Sequence, residues 1–190
     1  MQTWKRIPPT KVQQVGHRTI VTKTFRLPDD RIEQFDIKER EGWTGVATVA
    51  LTEAGKVLIF RQFRPGAEII MDELPGGMVE EVESDLSTAA ARELREETGY
   101  EATQMIWLGR MNYDAYTNGW RYYFLAEDCR LTDAGQLLDD NEQGGELLEI
   151  TIEQLLTNAL TGRMTDSGGV LLACAAKGWQ LRSPKEVRSL

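Results

Sequence analysis

The stretch that most constrains this chain is Glu73–Ala102, ELPGGMVEEVESDLSTAAARELREETGYEA. It holds nine carboxylates and two arginines around a run of alanines. Asp85 or Ser84 can cap a helix that runs to about Thr98, and Gly99 suits its end. At about 100° per residue, with Glu93 set at zero, Glu97 falls at about 40° and Glu96 at about −60°. On the same scale Leu86 falls at about 20°, Ala90 at about 60° and Leu94 at about 100°. The acidic arc therefore overlaps the stripe that must be buried. A solvated face would set its charges opposite that stripe. This helix must pack through Leu and Ala while carrying Glu93, Glu96 and Glu97 toward the same side.

Carboxylates gathered in that way need a counter-charge. Arg92 stands four residues before Glu96 and supplies part of it. One arginine does not neutralise three glutamates. A hard divalent cation does, and Mg²⁺ is held by a few carboxylates, waters and phosphate oxygens. The competing reading is a helix laced with surface ion pairs. The Pro75-Gly76-Gly77 turn just upstream shifts the balance, because glycines let backbone come close to a ligand and expose its carbonyls.

The rest of the chain reads as one mixed α/β domain with an added arm. Residues 1–40 are β-rich, with HRTIVTKTFRL and IEQFDIK joined by the PDDR turn as a hairpin. GVATVALTEAGKVLIFRQF gives two strands around Glu53-Ala54-Gly55, apolar enough for a sheet covered on both faces. EIIMDEL is extended. MIWLGRMNY and RYYFLAED read as strands joined by a loop, and LLEITI as another strand. EQLLTNALTG and DSGGVLLACAAKGWQL read as helices, and residues 134–146 as an acidic loop. A net charge of −8 argues against nucleic acid and anionic membranes as partners. No run approaches the roughly 18 apolar residues of a membrane span. Cys129 and Cys174 form no C-x-x-C pattern and read as reduced thiols in a cytoplasmic protein, with no signal peptide at the start.

The helix and its turn together resemble the signature of the Nudix hydrolases, G-x5-E-x7-R-E-U-x-E-E-x-G-U, where U is bulky and apolar. Gly77 and Glu83 match the first part. Arg92, Glu93, Leu94, Glu96, Glu97, Gly99 and Tyr100 match the second. Eight residues, Ser84–Ala91, separate Glu83 from Arg92 where the pattern has seven, so the loop before the helix is expected to be one residue longer. Val82 stands where glycine is usual. TVALTEAGKVLIFRQFRPGAEIIMDELPGG and the end of the chain are similar to the branch that cleaves ADP-ribose and other nucleoside diphosphate sugars.

That resemblance implies an α/β/α sandwich with a mixed sheet over residues 41–190. It implies an N-terminal antiparallel β arm over 1–40, exchanged across a homodimer. It also implies Mg²⁺- or Mn²⁺-dependent hydrolysis of the pyrophosphate of a substrate such as ADP-ribose or GDP-mannose. Glu93, Glu96, Glu97 and the Gly76 carbonyl are the expected metal ligands, and Arg92 orients the glutamates. The catalytic base is expected from the acidic loop of Asp139, Asp140, Glu142 and Glu146, with Glu142 first. Arg61 or Arg64 suits the diphosphate, because a guanidinium fork binds two oxygens at once. Glu73 can accept hydrogen bonds from sugar or base, and Trp120, Tyr116 or Phe63 can stack on the base. His17 reads as a polar hairpin residue. NYDAYTNGW lacks the proline that ADP-ribose cleavers often carry there, which favours a broader substrate choice. The alternatives are a nucleoside triphosphate or dinucleoside polyphosphate pyrophosphatase, and a domain that binds such nucleotides without cleaving them.

Overall fold

A computed structural model of the chain describes residues 2–39, 44–80, 83, 85–138 and 144–182. The chain divides into two compact units, Met1–Thr44 with Met111–Arg121, and Gly45–Arg110 with Tyr122–Leu190.

In the first unit, β1 (Lys5–Val15), β2 (Arg18–Arg26) and β3 (Ile32–Glu39) form an antiparallel sheet with β2 in the middle. The β2–β3 pair is the hairpin read from the sequence, in a register that sets Thr22 opposite Asp36. The Thr22 hydroxyl donates to Asp36 at 2.7 Å. Strand β1 was not legible as a separate element. It carries Pro8 and Pro9, which an edge strand tolerates, and its register shifts between Ile7 and Lys11, where they sit. His17 lies exposed in the β1–β2 turn. Trp4 stacks on Phe35 at 5.4 Å and Phe35 on Tyr116 at 6.4 Å between ring centres. With Phe25, Ile37 and Ala115 these rings line a cleft of about 280 Å³ within this unit.

The second unit contains β4 (Thr44–Thr52), β5 (Val57–Arg64), β6 (Ile69–Glu73), α1 (Leu86–Thr98) and β7 (Tyr100–Glu101). It continues with β8 (Met105–Asn112), β9 (Trp120–Leu131), β10 (Glu146–Ile150), α2 (Ile152–Leu160) and α3 (Ser167–Lys177). The first residues of β4 and β9 and the last of β8 cross the boundary between the units. The strand order is β10-β5-β4-β9-β7, with β6 on β5 and β8 on β9. Strand β4 is buried almost throughout, as its unbroken apolar run requires. Successive side chains of a strand face opposite ways, and β9 shows what covers each face. Phe124 packs with Val46, Ala89 and Ala90, so α1 lies on one side. Tyr123 meets Gly169 of α3, where an added Cβ would overlap the ring, so α3 lies on the other. This is the α/β/α layering expected of the sequence, around a mixed sheet.

Both cysteines are buried and free. Burial pushes the Cys129 thiol up to about 11, which leaves little thiolate at neutral pH. No helix among the described residues is long and apolar enough to cross a membrane.

Candidate active site

Helix α1 begins where the sequence places it. Asp85 accepts from the Ser87 and Thr88 amides, each at 3.3 Å, and Gly99 ends the helix in the left-handed region at φ 75°. Ala89, Ala90 and Leu94 are buried against the sheet. Glu97 is buried too, at 8% exposure, and Glu93 and Glu96 are half-buried. The glutamates thus sit along the margin of the packed face, as the helical angles require.

The turn at Pro75–Gly77 supplies the opposite wall. The amides of Val46 and Thr48 on β4 donate to the carbonyls of Gly77 and Pro75 at 2.9 and 2.8 Å. Neighbouring residues of an extended segment point their backbone groups alternately to either side. Gly76 therefore turns its N–H away from β4, and that N–H donates to Glu97 Oε2 at 2.8 Å. The Gly76 carbonyl accepts no hydrogen bond among the described residues. A side chain at either glycine would collide with a neighbour. A Cβ on Gly76 would overlap the Val46 carbonyl, and one on Gly77 would overlap the Glu93 carboxylate. The second clash falls on the far end of a flexible side chain. Gly77→Ala is therefore expected to fold and melt within a few degrees of the parent while displacing Glu93. Turnover should drop by about 10- to 100-fold, the scale of a misplacement near 1 Å. Steady-state rates beside a thermal melt check this.

Arg92 is the hub of the site. Its Nη1 lies 2.7 Å from Glu96 and 3.0 Å from Glu93. Its Nε and Nη2 donate to the two oxygens of Glu83 at 2.9 and 3.2 Å, and Nη2 also donates to the Met78 carbonyl at 3.0 Å. These partners raise the Arg92 pKa, the Glu83 bond most of all, and hold the Glu83 carboxyl below its ordinary value. With one residue more than the pattern between them, Glu83 still reaches the Arg92 guanidinium.

Gly77, Met78, Glu80, Arg92, Glu93, Glu96, Glu97 and Leu137 line one cleft of about 600 Å³. Four carboxylates face one guanidinium there, a donor set that suits a hard cation. Among the described residues no three acidic, histidine or cysteine side chains are already drawn into a cage. Arg92 holds Glu93 and Glu96, and the Gly76 amide holds Glu97, so the oxygens are spread around the cleft. Of the expected metal set, Glu93, Glu96 and Glu97 thus line one cleft without converging on a point, and Gly76 is tied to it through Glu97.

The expected substrate residues divide. Arg61 is not in this cleft: its Nε and Nη2 lie 2.6 and 3.0 Å from the buried Asp72, its cross-strand partner in β6. It lines a separate cleft with Ile69, Ile70 and Arg163. Arg64 and Glu73 were each expected to meet substrate, yet the structure pairs them with one another through two hydrogen bonds. Glu73 is buried, so its carboxylate needs that partner. Arg64 remains 40% exposed at its side chain, and its pKa is raised by Glu73 first, then by the nearby charges of Asp166 and Glu97. Trp120 and Tyr116 belong to the first unit. Phe63 is exposed at 58% and is not among the cleft residues. Glu142, Asp139 and Asp140 lie outside the described residues, while Glu146 is paired opposite Arg61 in β10. Glu80 and Leu137 went unread in the sequence. Neither sits on a periodic element, and only the acidic run after the Pro-Gly-Gly turn hinted at Glu80.

Residues 43–178 match the model of the NUDIX domain. The chain is 32% identical to the ADP-ribose pyrophosphatase of Bacillus subtilis (strain 168) over 138 residues, which cover 72% of each protein. It is 30% identical to the methanol dehydrogenase activator of Bacillus methanolicus over 146 residues, covering 76% of this chain and 77% of the relative. A crystal structure of an ADP compounds hydrolase superimposes with a TM-score of 0.77 at 16% identity, over 94% of this chain and 97% of the other. The glutamate helix, the glycine turn and the domain match agree, and the chain belongs to the Nudix hydrolase family.

Proposed function

We propose that this protein hydrolyses the pyrophosphate of ADP-ribose or a closely related nucleoside diphosphate sugar, such as GDP-mannose, with Mg²⁺ or Mn²⁺. The observation that carries the reading is the cleft in which four glutamates surround Arg92 beside the Gly76–Gly77 turn. The Bacillus subtilis relative, named for ADP-ribose, supports the substrate class. Glu93, Glu96, Glu97 and the Gly76 carbonyl are the groups to hold a divalent cation. When bound, the cation lowers the pKa of a water and offsets charge on the phosphate oxygens.

The chain's own groups do the positioning. Arg92 holds Glu93 and Glu96 in place, and the Gly76 amide holds Glu97. Arg64, close enough to feel Glu97, is the arginine we assign to the diphosphate. Glu73 fixes its fork, so the sugar-binding role of Glu73 becomes an indirect one. A base from the acidic loop, Glu142 in our reading, takes the proton of the attacking water. The water oxygen bonds to one phosphorus, the bridging P–O bond breaks, and the bridging oxygen leaves on the other phosphate. The products are a nucleoside monophosphate and a sugar phosphate. We further propose that residues 1–40 act as an arm exchanged across a homodimer, and that Trp120 or Tyr116 stacks on the base.

The test is a panel of ADP-ribose, GDP-mannose, UDP-sugars, nucleoside triphosphates and dinucleoside polyphosphates, assayed by phosphate release after phosphatase treatment. Diphosphate sugars should be cleaved, chelation should stop release, and Mg²⁺ or Mn²⁺ should restore it. Cleavage confined to triphosphates would overturn the substrate assignment.

A further inference from the structure

We propose that Gln136 is a positioning residue for this reaction: its side-chain amide fixes the last turn of the glutamate helix by gripping the backbone of Glu97. An α-helix leaves its last four carbonyls without helical partners. In α1 the accounting is specific. The Gly99 amide takes the Arg95 carbonyl at 2.7 Å. The next two carbonyls belong to Glu96 and Glu97, both lining the cleft. The Leu137 amide donates to the Glu96 carbonyl at 2.7 Å, and Gln136 Nε2 donates to the Glu97 carbonyl at 2.6 Å. Thr132 completes the clamp, its amide and hydroxyl both donating to the Gly99 carbonyl at 2.9 Å.

Glycine at residue 99 eases this approach. It sits at φ 75°, and an added Cβ would stand 3.1 Å from the Gly135 carbonyl carbon. One short segment, residues 132–137, is thus laid across the end of α1. Its last residue, Leu137, is itself part of the cleft wall. Glu97 is held at two points, by the Gly76 amide at its carboxylate and by Gln136 at its backbone. Of the clamp's contacts, the Gln136 bond is made by a side chain alone, so a single substitution removes it and leaves the chain path intact. Without it, the hold on the Glu97 backbone weakens, and the spacing of Glu96 and Glu97 loosens.

The inference rests on reading the cleft as the cation and diphosphate site. The experiment compares Gln136→Ala, Gln136→Lys and Glu97→Gln in the full chain. It measures kcat and KM on ADP-ribose, and Mn²⁺ binding from the spectrum of the free ion. Gln136→Ala should lower kcat about 5- to 10-fold, the scale of one hydrogen bond, with KM changed less than about 2-fold. Its Mn²⁺ dissociation constant should rise by a similar factor, with a melting temperature within about 2–4 °C of the parent. Gln136→Lys should recover most of both, since an ammonium donates to the terminal carbonyls of a helix and complements its dipole. Parental Mn²⁺ binding and turnover in Gln136→Ala would overturn the role, as would a Lys variant as impaired as the Ala variant. Glu97→Gln separates the two levels. If it loses Mn²⁺ binding while Gln136→Ala keeps it, the positioning role alone fails. If Glu97→Gln binds Mn²⁺ as the parent does, the reading of the cleft fails and the inference with it.

Discussion

The Glu97→Gln variant is expected to lose about 10²–10³-fold in turnover, the scale of removing one well-placed charge from a catalytic site, while folding as the parent does. Glutamine has the shape of glutamate, and its carbonyl oxygen can still accept the Gly76 amide now bonded at 2.8 Å. The turn and the helix therefore keep their spacing. What disappears is one negative charge from a cleft where four carboxylates face a single guanidinium. The cation loses a ligand, and Arg64 loses one of the charges that draw on it. Removing a carboxylate from that crowd also relieves repulsion, so the melting temperature should hold or rise by a few degrees. That combination distinguishes the variant from Glu97→Ala, which leaves the Gly76 amide without its partner in a buried place and should melt lower. Rates, Mn²⁺ titration and melts on the two variants provide the measurement. Turnover within about 3-fold of the parent would remove Glu97 from the cation site.

The parts of this cleft differ in how far they could be read before the fold was known. Glu93, Glu96 and Glu97 follow from helical angles, because 100° steps are a property of the helix and need no tertiary information. The cap at Asp85 and the stop at Gly99 are equally local, and both stand in the structure. The layered α/β architecture follows in the same way from apolar strands such as β4 alternating with amphipathic helices. The failures arise where a partner lies far along the chain. Arg61 and Arg64 looked equivalent in RQFR, but register alone sets Asp72 opposite Arg61. Arg64 is fixed by its bonds to Glu73. Glu80 reaches the cleft from an irregular loop, where no period marks a direction. The clamp at Thr132, Gln136 and Leu137 meets a need that every helix end has, yet nothing in its own residues names the helix it serves. Strand β1 was obscured by Pro8 and Pro9, which β2 tolerates because they fall at an edge.

Arg92 is the residue whose loss should damage fold and site together. It joins Glu83, Glu93, Glu96 and the Met78 carbonyl through one planar group that is itself only 19% exposed. Arg92→Leu leaves Glu83, Glu93 and Glu96, all at least partly buried, facing one another without this guanidinium. Stripping the partner from a buried ion pair costs about 3–5 kcal/mol. Glu96 keeps 30% exposure, so water recovers part of that. A loss of about 2–3 kcal/mol follows, or about 5–10 °C in melting temperature for a chain of this size. The effect has a signed pH dependence. Arg92 lowers the folded pKa of Glu83 below its ordinary 4.5, chiefly through their hydrogen bonds. A carboxyl with a depressed folded pKa stabilises the protein above its unfolded value, and that stabilisation is lost as pH falls through the folded one. The parent therefore holds this contribution at neutral pH and gives it up in acid, while the leucine variant never has it. The gap between their melting temperatures should be widest near pH 7 and narrow steadily below pH 4.5. Arg92→Lys should fall between them in stability and nearer the leucine variant in turnover. An ammonium supplies the charge but lacks the fork that sets Glu83, Glu93 and Glu96 in one geometry. Equal melting temperatures for parent and Arg92→Leu at pH 7 would mean that the glutamates are held apart by something other than this guanidinium.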